Sequence, residues 1–332
     1  MIESILVTGG TGYIGSHTTV QLLNAGFSVV ILDNLSNSNA AVVGRIEKIT
    51  GKRVDFIEGD IRNPLTVKEV LAKRDFRAVL HFAGHKAVGE AEEFPLKYYS
   101  NNVYGSEVLL EEMQHAGVLS IVFSSSATVY GNPGYPKYRE DTPLAPENVY
   151  GRTKRVVEDM LRDVKKARKD WRIAILRYFN PVGAHESGLM GEAPNGIPNN
   201  LMPYIAQVAA GIRPKLSVFG NDYPTPDGTG LRDYIHVEDL AAGHLAALMH
   251  IKNNEEILTV NLGTGRPYSV LEMIRAFERA SGKRIPYQVT ARRAGDLGEY
   301  YADPQFAQRV LNWEATLGID RMCMDTWRWQ NL

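Results

Sequence analysis

Short β-branched apolar runs alternate along the first half of the chain with longer stretches of helix-like periodicity. That alternation predicts βαβ units and a parallel sheet. Six strands are predicted, at Ser4 to Thr8, Ser28 to Leu32, Val54 to Glu58, Ala78 to Phe82, Ser120 to Ser124 and Arg172 to Arg177. The segments between them, such as Tyr13 to Ala25, Pro64 to Lys73 and Pro95 to Ala116, are long enough for crossover helices. Right-handed crossovers place helices on both faces, so the expected fold is α/β, a doubly wound parallel sheet.

After Arg177 the character changes. Residues 178–200 are rich in Gly, Pro, Asn and Ser, too irregular for one element and too long for an ordinary connection. Beyond them the pattern predicts a helix near Asn200 to Ala210, a strand near Leu216 to Phe219, a strand-to-helix unit over Asp233 to His250, and further alternation to Leu311. The chain is expected to divide into a larger domain over 1–180 and a smaller C-terminal α/β domain over 181–332. The basic run Lys165 to Lys169 closes a predicted helix, where cations oppose the negative end of the dipole.

Composition narrows the function more than the fold. Of 332 residues, 37 are Lys or Arg and 38 are Asp or Glu, a net charge of -1, so no cationic field exists to hold nucleic acid or an anionic membrane. One cysteine, Cys323, forms no internal disulfide, and no His, Asp or Glu spacing suggests a metal. There is no apolar run long enough for a membrane span, and the N-terminus lacks the pattern of a signal peptide. A cytoplasmic protein with a small-molecule partner is expected.

The segment VTGGTGYIGS puts Gly9, Gly12 and Gly15 directly after the first strand and at the opening of the first helix. Glycine there permits a tight turn, close approach of a phosphate, and close packing of helix on sheet. The helix N-terminus then attracts a pyrophosphate. An ordinary glycine-rich turn is the alternative, and Asp33 weighs against it. It ends the second strand, where a carboxylate can accept from an adenosine ribose and would repel a 2′-phosphate. With Asn34 beside it, NAD is expected over NADP. Asp60 and Ile61 after the third strand, and Phe82, Ala83 and Gly84 after the fourth, stand at further strand ends where such sheets hold ligands, although each alone also reads as turn chemistry.

Tyr150 and Lys154 stand four apart in a predicted helix and so share a face. A tyrosine of pKa ~10 needs ~4 kcal/mol of preferential phenolate stabilisation to titrate ~3 units lower. A nearby ammonium and a cationic nicotinamide ring can supply it in a desolvated cleft. Tyr150 is therefore the candidate acid/base, with Ser126 past the fifth strand placed to share the proton.

The motifs TGGTGYIGSH, FAGHKAVGE, SSSATVYG, YGRTK, RYFNPVGAH, GIPNNLMPY, FGNDYPTPDGTGLRDYIHV and RRAGDLGEYYAD run in unbroken order over nearly the whole chain. Together they resemble the UDP-glucose 4-epimerase family of extended short-chain dehydrogenases/reductases. The resemblance implies a Rossmann-type first domain, bound NAD, UDP-glucose and UDP-galactose as substrates, and a homodimer formed through about residues 95 to 116 and 150 to 168. It makes Ser126, Tyr150 and Lys154 the catalytic set. Cofactor contacts would also fall on Tyr13, Ile14, Leu35, Ser36, Asn37, Ser38, Lys86, Asn101 and Phe179. UDP-sugar contacts would fall on Lys86, Asn180, Asn200, Leu201, Ser217, Val218, Phe219, Arg232, Arg293, Asp296 and Tyr300. Arg232 and Arg293 suit a pyrophosphate and Phe219 offers a face to a uracil, although surface ion pairing would also account for either arginine. A bulky Tyr300 would border the sugar C2 group and leave little room for an N-acetyl substituent. Tyr104, Ser106 and the short C-terminal tail depart from the family pattern without touching a catalytic position.

Rivals remain open. A UDP-N-acetylglucosamine 4-epimerase or a decarboxylating relative would share most of these motifs. A 4,6-dehydratase would carry an Asp-Glu pair just after the strand-end Ser/Thr, where this chain reads Ala127-Thr128-Val129. A silent NAD-binding regulator of the same fold is the rival from another class.

Overall fold

A computed structural model describes residues 2–194, 196–293 and 295–331. The strands are β1 (Ser4–Thr8), β2 (Ser28–Asp33), β3 (Asp55–Glu58), β4 (Phe76–His81), β5 (Ser120–Ser126), β6 (Lys137–Tyr138), β7 (Arg172–Tyr178), β8 (Asn180–Val182), β9 (Leu216–Phe219), β10 (Leu231–His236), β11 (Leu258–Leu262), β12 (Pro267–Ser269), β13 (Tyr287–Thr290) and β14 (Glu299–Ala302). The α-helices are α1 (Tyr13–Asn24), α2 (Ala41–Thr50), α3 (Pro64–Leu71), α4 (Val88–Glu93), α5 (Pro95–Tyr98), α6 (Gly105–Ala116), α7 (Val149–Ala167), α8 (Leu201–Ala209), α9 (Val237–Asn253), α10 (Val270–Ser281), α11 (Gln305–Leu311) and α12 (Ile319–Gln330).

Seven parallel strands form the main sheet, in the order β11-β7-β5-β4-β1-β2-β3. The period of two explains its layers. Ile5, Val7, Val29, Ile31, Ala78 and Leu80 enter one core, while Leu6, Val30, Leu32 and Val79 enter the core on the opposite face. All six expected strands are present, most of them a residue or two longer or shorter than the pattern implied. The seventh, β11, comes from residues 258–262, and α9 lies against α1 on this sheet. In return β6, from the first half, pairs with β14 in the smaller sheet around β10. The chain therefore crosses between the two bodies on both sides of residue 180.

Strand order reverses between β1 and β4, which is where an open parallel sheet leaves a crevice beyond its carboxyl ends. Leu32 and His81 lie level with Thr8 on either side. The segments after β1 and β4 therefore leave the sheet side by side. A third apolar cluster, from α8, α10 and α12 with β9 and β10, supports the far wall of that crevice.

Candidate active site

The glycine turn fits a dinucleotide phosphate on its own geometry. A Cβ on Gly9, whose φ is 71°, would fall 2.6 Å from the Ala83 backbone nitrogen, and one on Gly15 would fall 2.3 Å from the Gly9 carbonyl oxygen. Side chains are therefore excluded from the crossing of the two segments. Helix α1 starts at Gly12 with no side-chain cap and no acidic residue in its first turn, leaving its positive end for an anionic ligand. Asp33 is buried at the end of β2. Its Oδ2 accepts from the Thr11 N–H at 3.1 Å, and its Oδ1 accepts from the Leu35 N–H at 2.9 Å and the Ser38 hydroxyl at 3.1 Å. Leu35 takes φ 56° to close that loop. Ser36, Asn37 and Ser38 line the cleft, whereas Leu35 does not. Asp60 also stands off the lining. It is gripped by Arg62 and by Asn34 Nδ2 at 3.0 Å, and the Arg62 bond holds its carboxyl well below the usual range. Its neighbour Ile61 does line the cleft.

Tyr150 and Lys154 lie on the buried side of α7, whose N-cap Asn148 accepts from the Gly151 N–H at 2.7 Å. The Lys154 ammonium stands 5.9 Å from the centroid of the Tyr150 ring and donates to the Ser124 carbonyl at 2.7 Å. Burial lowers its pKa to about 8, with Glu158 pulling it back up. Burial also raises the Tyr150 hydroxyl to about 12, and only Ser126 pulls it down. The expected lowering of Tyr150 is thus not a property of the chain alone, since desolvation outweighs its own partners. A bound cationic nicotinamide ring would have to reverse the sign. Ser126 is buried behind the cleft surface, and its hydroxyl accepts from the Thr128 N–H and hydroxyl at 3.2 and 3.0 Å.

Lys86, Asn180, Asn200, Leu201, Ser217, Phe219, Arg232, Arg293, Asp296 and Tyr300 line the same cleft, which encloses about 2100 Å³. That is roughly twice the upper end of a usual small-molecule site, about 1,000 Å³, and suits two ligands side by side. Asp296 accepts from Arg293 Nε at 2.8 Å and faces Arg232 at 3.8 Å. The guanidinium of Arg293 lies 4.8 Å from the centroid of the Phe219 ring, and that of Arg232 lies 4.7 Å from that of Tyr300. Tyr300 donates to Asn180 Oδ1 at 3.2 Å and stacks on Tyr138 at 6.0 Å. Besides Leu35, Asp60 and Ser126, two more expected contacts stand off the lining. Val218 alternates with Ser217 and Phe219 along β9 and so points into the core, and Phe179 packs against Tyr138 and Tyr300 behind the lining.

Over residues 6–326 the chain matches the family described as GDP-mannose 4,6 dehydratase. It is 57% identical over 328 residues to the UDP-glucose 4-epimerase of Bacillus subtilis (strain 168), covering 99% of this chain and 97% of that one. The chain belongs to the UDP-glucose 4-epimerase family. Two solved structures agree. A UDP-glucose-4-epimerase from Stenotrophomonas maltophila with bound NAD and formylated UDP-arabinopyranose has a TM-score of 0.97 at 51% identity, covering 99% of this chain and 98% of that one. A UDP-glucose 4-epimerase from Bifidobacterium longum, in complex with NAD+ and UDP, has a TM-score of 0.95 at 50% identity with the same coverage.

The family resemblance marks Asn101 but not Tyr178 or Glu192, which also line this epimerase-family cleft, nor Asn102 buried behind it. Asn101 and Asn102 are both buried because residues Tyr99–Tyr104 form a π-helical turn, which rotates consecutive side chains inward. Asn102 accepts from the His85 N–H at 2.8 Å and donates to the His85 carbonyl at 3.0 Å, fixing the segment that carries Lys86. His85 packs against Tyr98, with ring centroids 5.4 Å apart. Tyr178 ends β7 and faces the cleft where Phe179 does not, a choice that strand alternation past Arg177 could have suggested. Nothing in the local sequence marks Glu192.

Proposed function

We propose that this protein interconverts UDP-galactose and UDP-glucose by inverting the sugar C4 centre, with NAD as its resident cofactor. The observation that carries the reading is one continuous cleft. It takes in the Cβ-intolerant glycine turn, the Tyr150 and Lys154 pair, and the arginines at 232 and 293. When bound, NAD accepts a hydride from C4 and returns it. Tyr150 takes the proton of the 4-hydroxyl as the hydride leaves, giving a 4-keto sugar, and donates it back after the keto sugar has turned about its diphosphate link. Lys154 and Ser126 hold the tyrosine's charge and proton. Arg232 and Arg293 grip the diphosphate and leave the sugar loosely held, so binding energy falls on the part that does not react.

In this reading residues 1–180 carry most of the NAD contacts and 181–332 most of the UDP contacts, with β11 and α9 returning to support the first body. The position after Ser126 holds no carboxylate for a dehydratase's elimination. Among the described residues no helix is long and apolar enough to cross a membrane. A cytoplasmic protein accords with its single, buried cysteine. A homodimer accords with the exposed apolar side chains of Phe94, Leu96, Tyr99 and Tyr104 around α5, and of Val156 on α7.

Tyr300 sets the expected sugar. Its ring is fixed by Tyr138, Arg232 and Asn180, so it yields little to a larger group at C2. Forcing an N-acetyl group against it costs on the order of 1–3 kcal/mol. Measured kcat/KM should favour UDP-galactose over UDP-N-acetylgalactosamine by about tenfold or more; equal values would overturn the choice of substrate.

A further inference from the structure

Glu192 lies between β8 and α8, in a stretch held from outside by α12. The Trp329 indole N–H donates to the Glu192 carbonyl at 3.1 Å, and a Cβ on Gly191 would fall 2.6 Å from the Trp329 ring. With its backbone held there, Glu192 puts a side chain only 10% exposed into the cleft. One oxygen, Oε1, accepts from both Lys86 Nζ and Asn200 Nδ2, each at 2.9 Å.

Both donors are among those expected to meet the nucleotide sugar. Asn200 carries a second sign of this pairing. It is the N-cap of α8, yet its side chain makes no capping bond. An asparagine there ordinarily accepts from the first-turn N–H groups, and doing without that bond costs about 1 kcal/mol. Its amide is instead committed to Glu192.

A diphosphate oxygen seeks the same partners as a carboxylate oxygen, an ammonium and an amide N–H at charge-assisted distance. Two anions cannot both hold Lys86 and Asn200 at full strength. We propose that Glu192 is an internal competitor for the diphosphate of the nucleotide sugar. The carboxylate and the diphosphate exchange these two donors, so Glu192 weakens ground-state binding and speeds ligand release. The identity of the diphosphate rests on the epimerase reading; the competition itself rests on the geometry of Lys86, Asn200 and Glu192.

The test is calorimetric titration of the NAD-loaded protein with UDP. Glu192→Gln keeps the size of the side chain and the backbone bond to Trp329 while removing the anion. It is expected to lower the Kd for UDP by about fivefold, the scale of a partly exposed ion pair. The gain should shrink in an Asn200→Ala background, where one contested donor is gone. Glu192→Ala, titrated alongside, should shift in the same direction, and melting curves without UDP establish that each variant is folded. Unchanged or weaker UDP binding in both Glu192 variants overturns the proposal and makes Glu192 a positioning residue for Lys86 and Asn200. Turnover of UDP-galactose by the unsubstituted protein is read separately. If turnover fails while the UDP shift holds, the epimerase reading falls and the competition stands.

Discussion

Three consecutive serines close β5, and each faces a different partner. The Ser124 carbonyl holds the Lys154 ammonium, and its hydroxyl lies 3.0 Å from His244 Nε2. His244 Nδ1 is 2.9 Å from the Leu240 carbonyl, which can only accept, so Nδ1 carries the proton and Nε2 accepts from Ser124. Ser125 donates to Glu158 at 2.6 Å, and Glu158 is also gripped by Arg177. Ser126 is left for Tyr150. Lys154 stabilises a Tyr150 phenolate only in its cationic form, and burial makes that form disappear as pH rises through about 8. An alkaline fall in kcat/KM for UDP-galactose is therefore expected to begin near that pH. Lys154→Arg, which stays charged, should be slower but free of that fall, and an unchanged pH profile in the variant would remove Lys154 from this role.

Between α1 and α9 the structure buries two titratable side chains face to face. His17 Nε2 and Glu238 Oε1 lie 3.7 Å apart, and neither has a hydrogen-bond partner among the described residues. His17 Nδ1 is 2.7 Å from the Tyr13 carbonyl and so carries the ring proton. The pair is not ionic at neutral pH, since burial lowers His17 to about 3 and raises Glu238 to about 7. The fold thus keeps a proton on Glu238 that an unfolded chain, with the ordinary value of 4.5, releases. Stability from this acid is full below about pH 4.5 and is lost as pH rises through about 7. His17 acts in the opposite sense, destabilising the fold as pH falls from 6.5 toward about 3. Glu238→Gln removes only the first dependence, so its Tm relative to the unsubstituted protein should climb between pH 5 and pH 8. A difference that is flat with pH would mean Glu238 is charged in the fold.

How much the sequence disclosed differs from element to element. The first six strands of the main sheet were legible because each alternates between two cores. The place of β11 was not, because pairing with β7 joins segments more than 80 residues apart and leaves no local period. Residues 95 to 116 read as one helix, whereas a π-helical turn interrupts it, bringing Asn101 to the cleft and Asn102 to the His85 backbone behind it. The glycine turn, Asp33, Tyr150 and Lys154 were legible because their chemistry is carried by local spacing. Glu192 was not, since its partners lie 106 and 8 residues away and only folding brings them together.

The whole molecule offers a cleft large enough for two ligands and an exposed apolar surface around α5. Leu96 is 80% exposed beside Phe94, which is 51% exposed, a disposition that suits a two-fold partner. Light scattering should therefore give twice the chain mass of 36.9 kDa. Leu96→Asp should shift the protein toward monomer, and a monomeric unsubstituted protein would leave that face without a partner in this account.

The central claim is that Tyr150 and a resident NAD together invert C4 with no net redox change. Purified protein, given UDP-galactose and no added NAD, is followed by chromatographic separation of the two UDP-hexoses, with Tyr150→Phe in parallel. The account predicts steady conversion to UDP-glucose, and at least about a hundredfold loss of kcat in the variant with UDP binding retained. No conversion with or without added NAD, or equal rates in the two proteins, would contradict it.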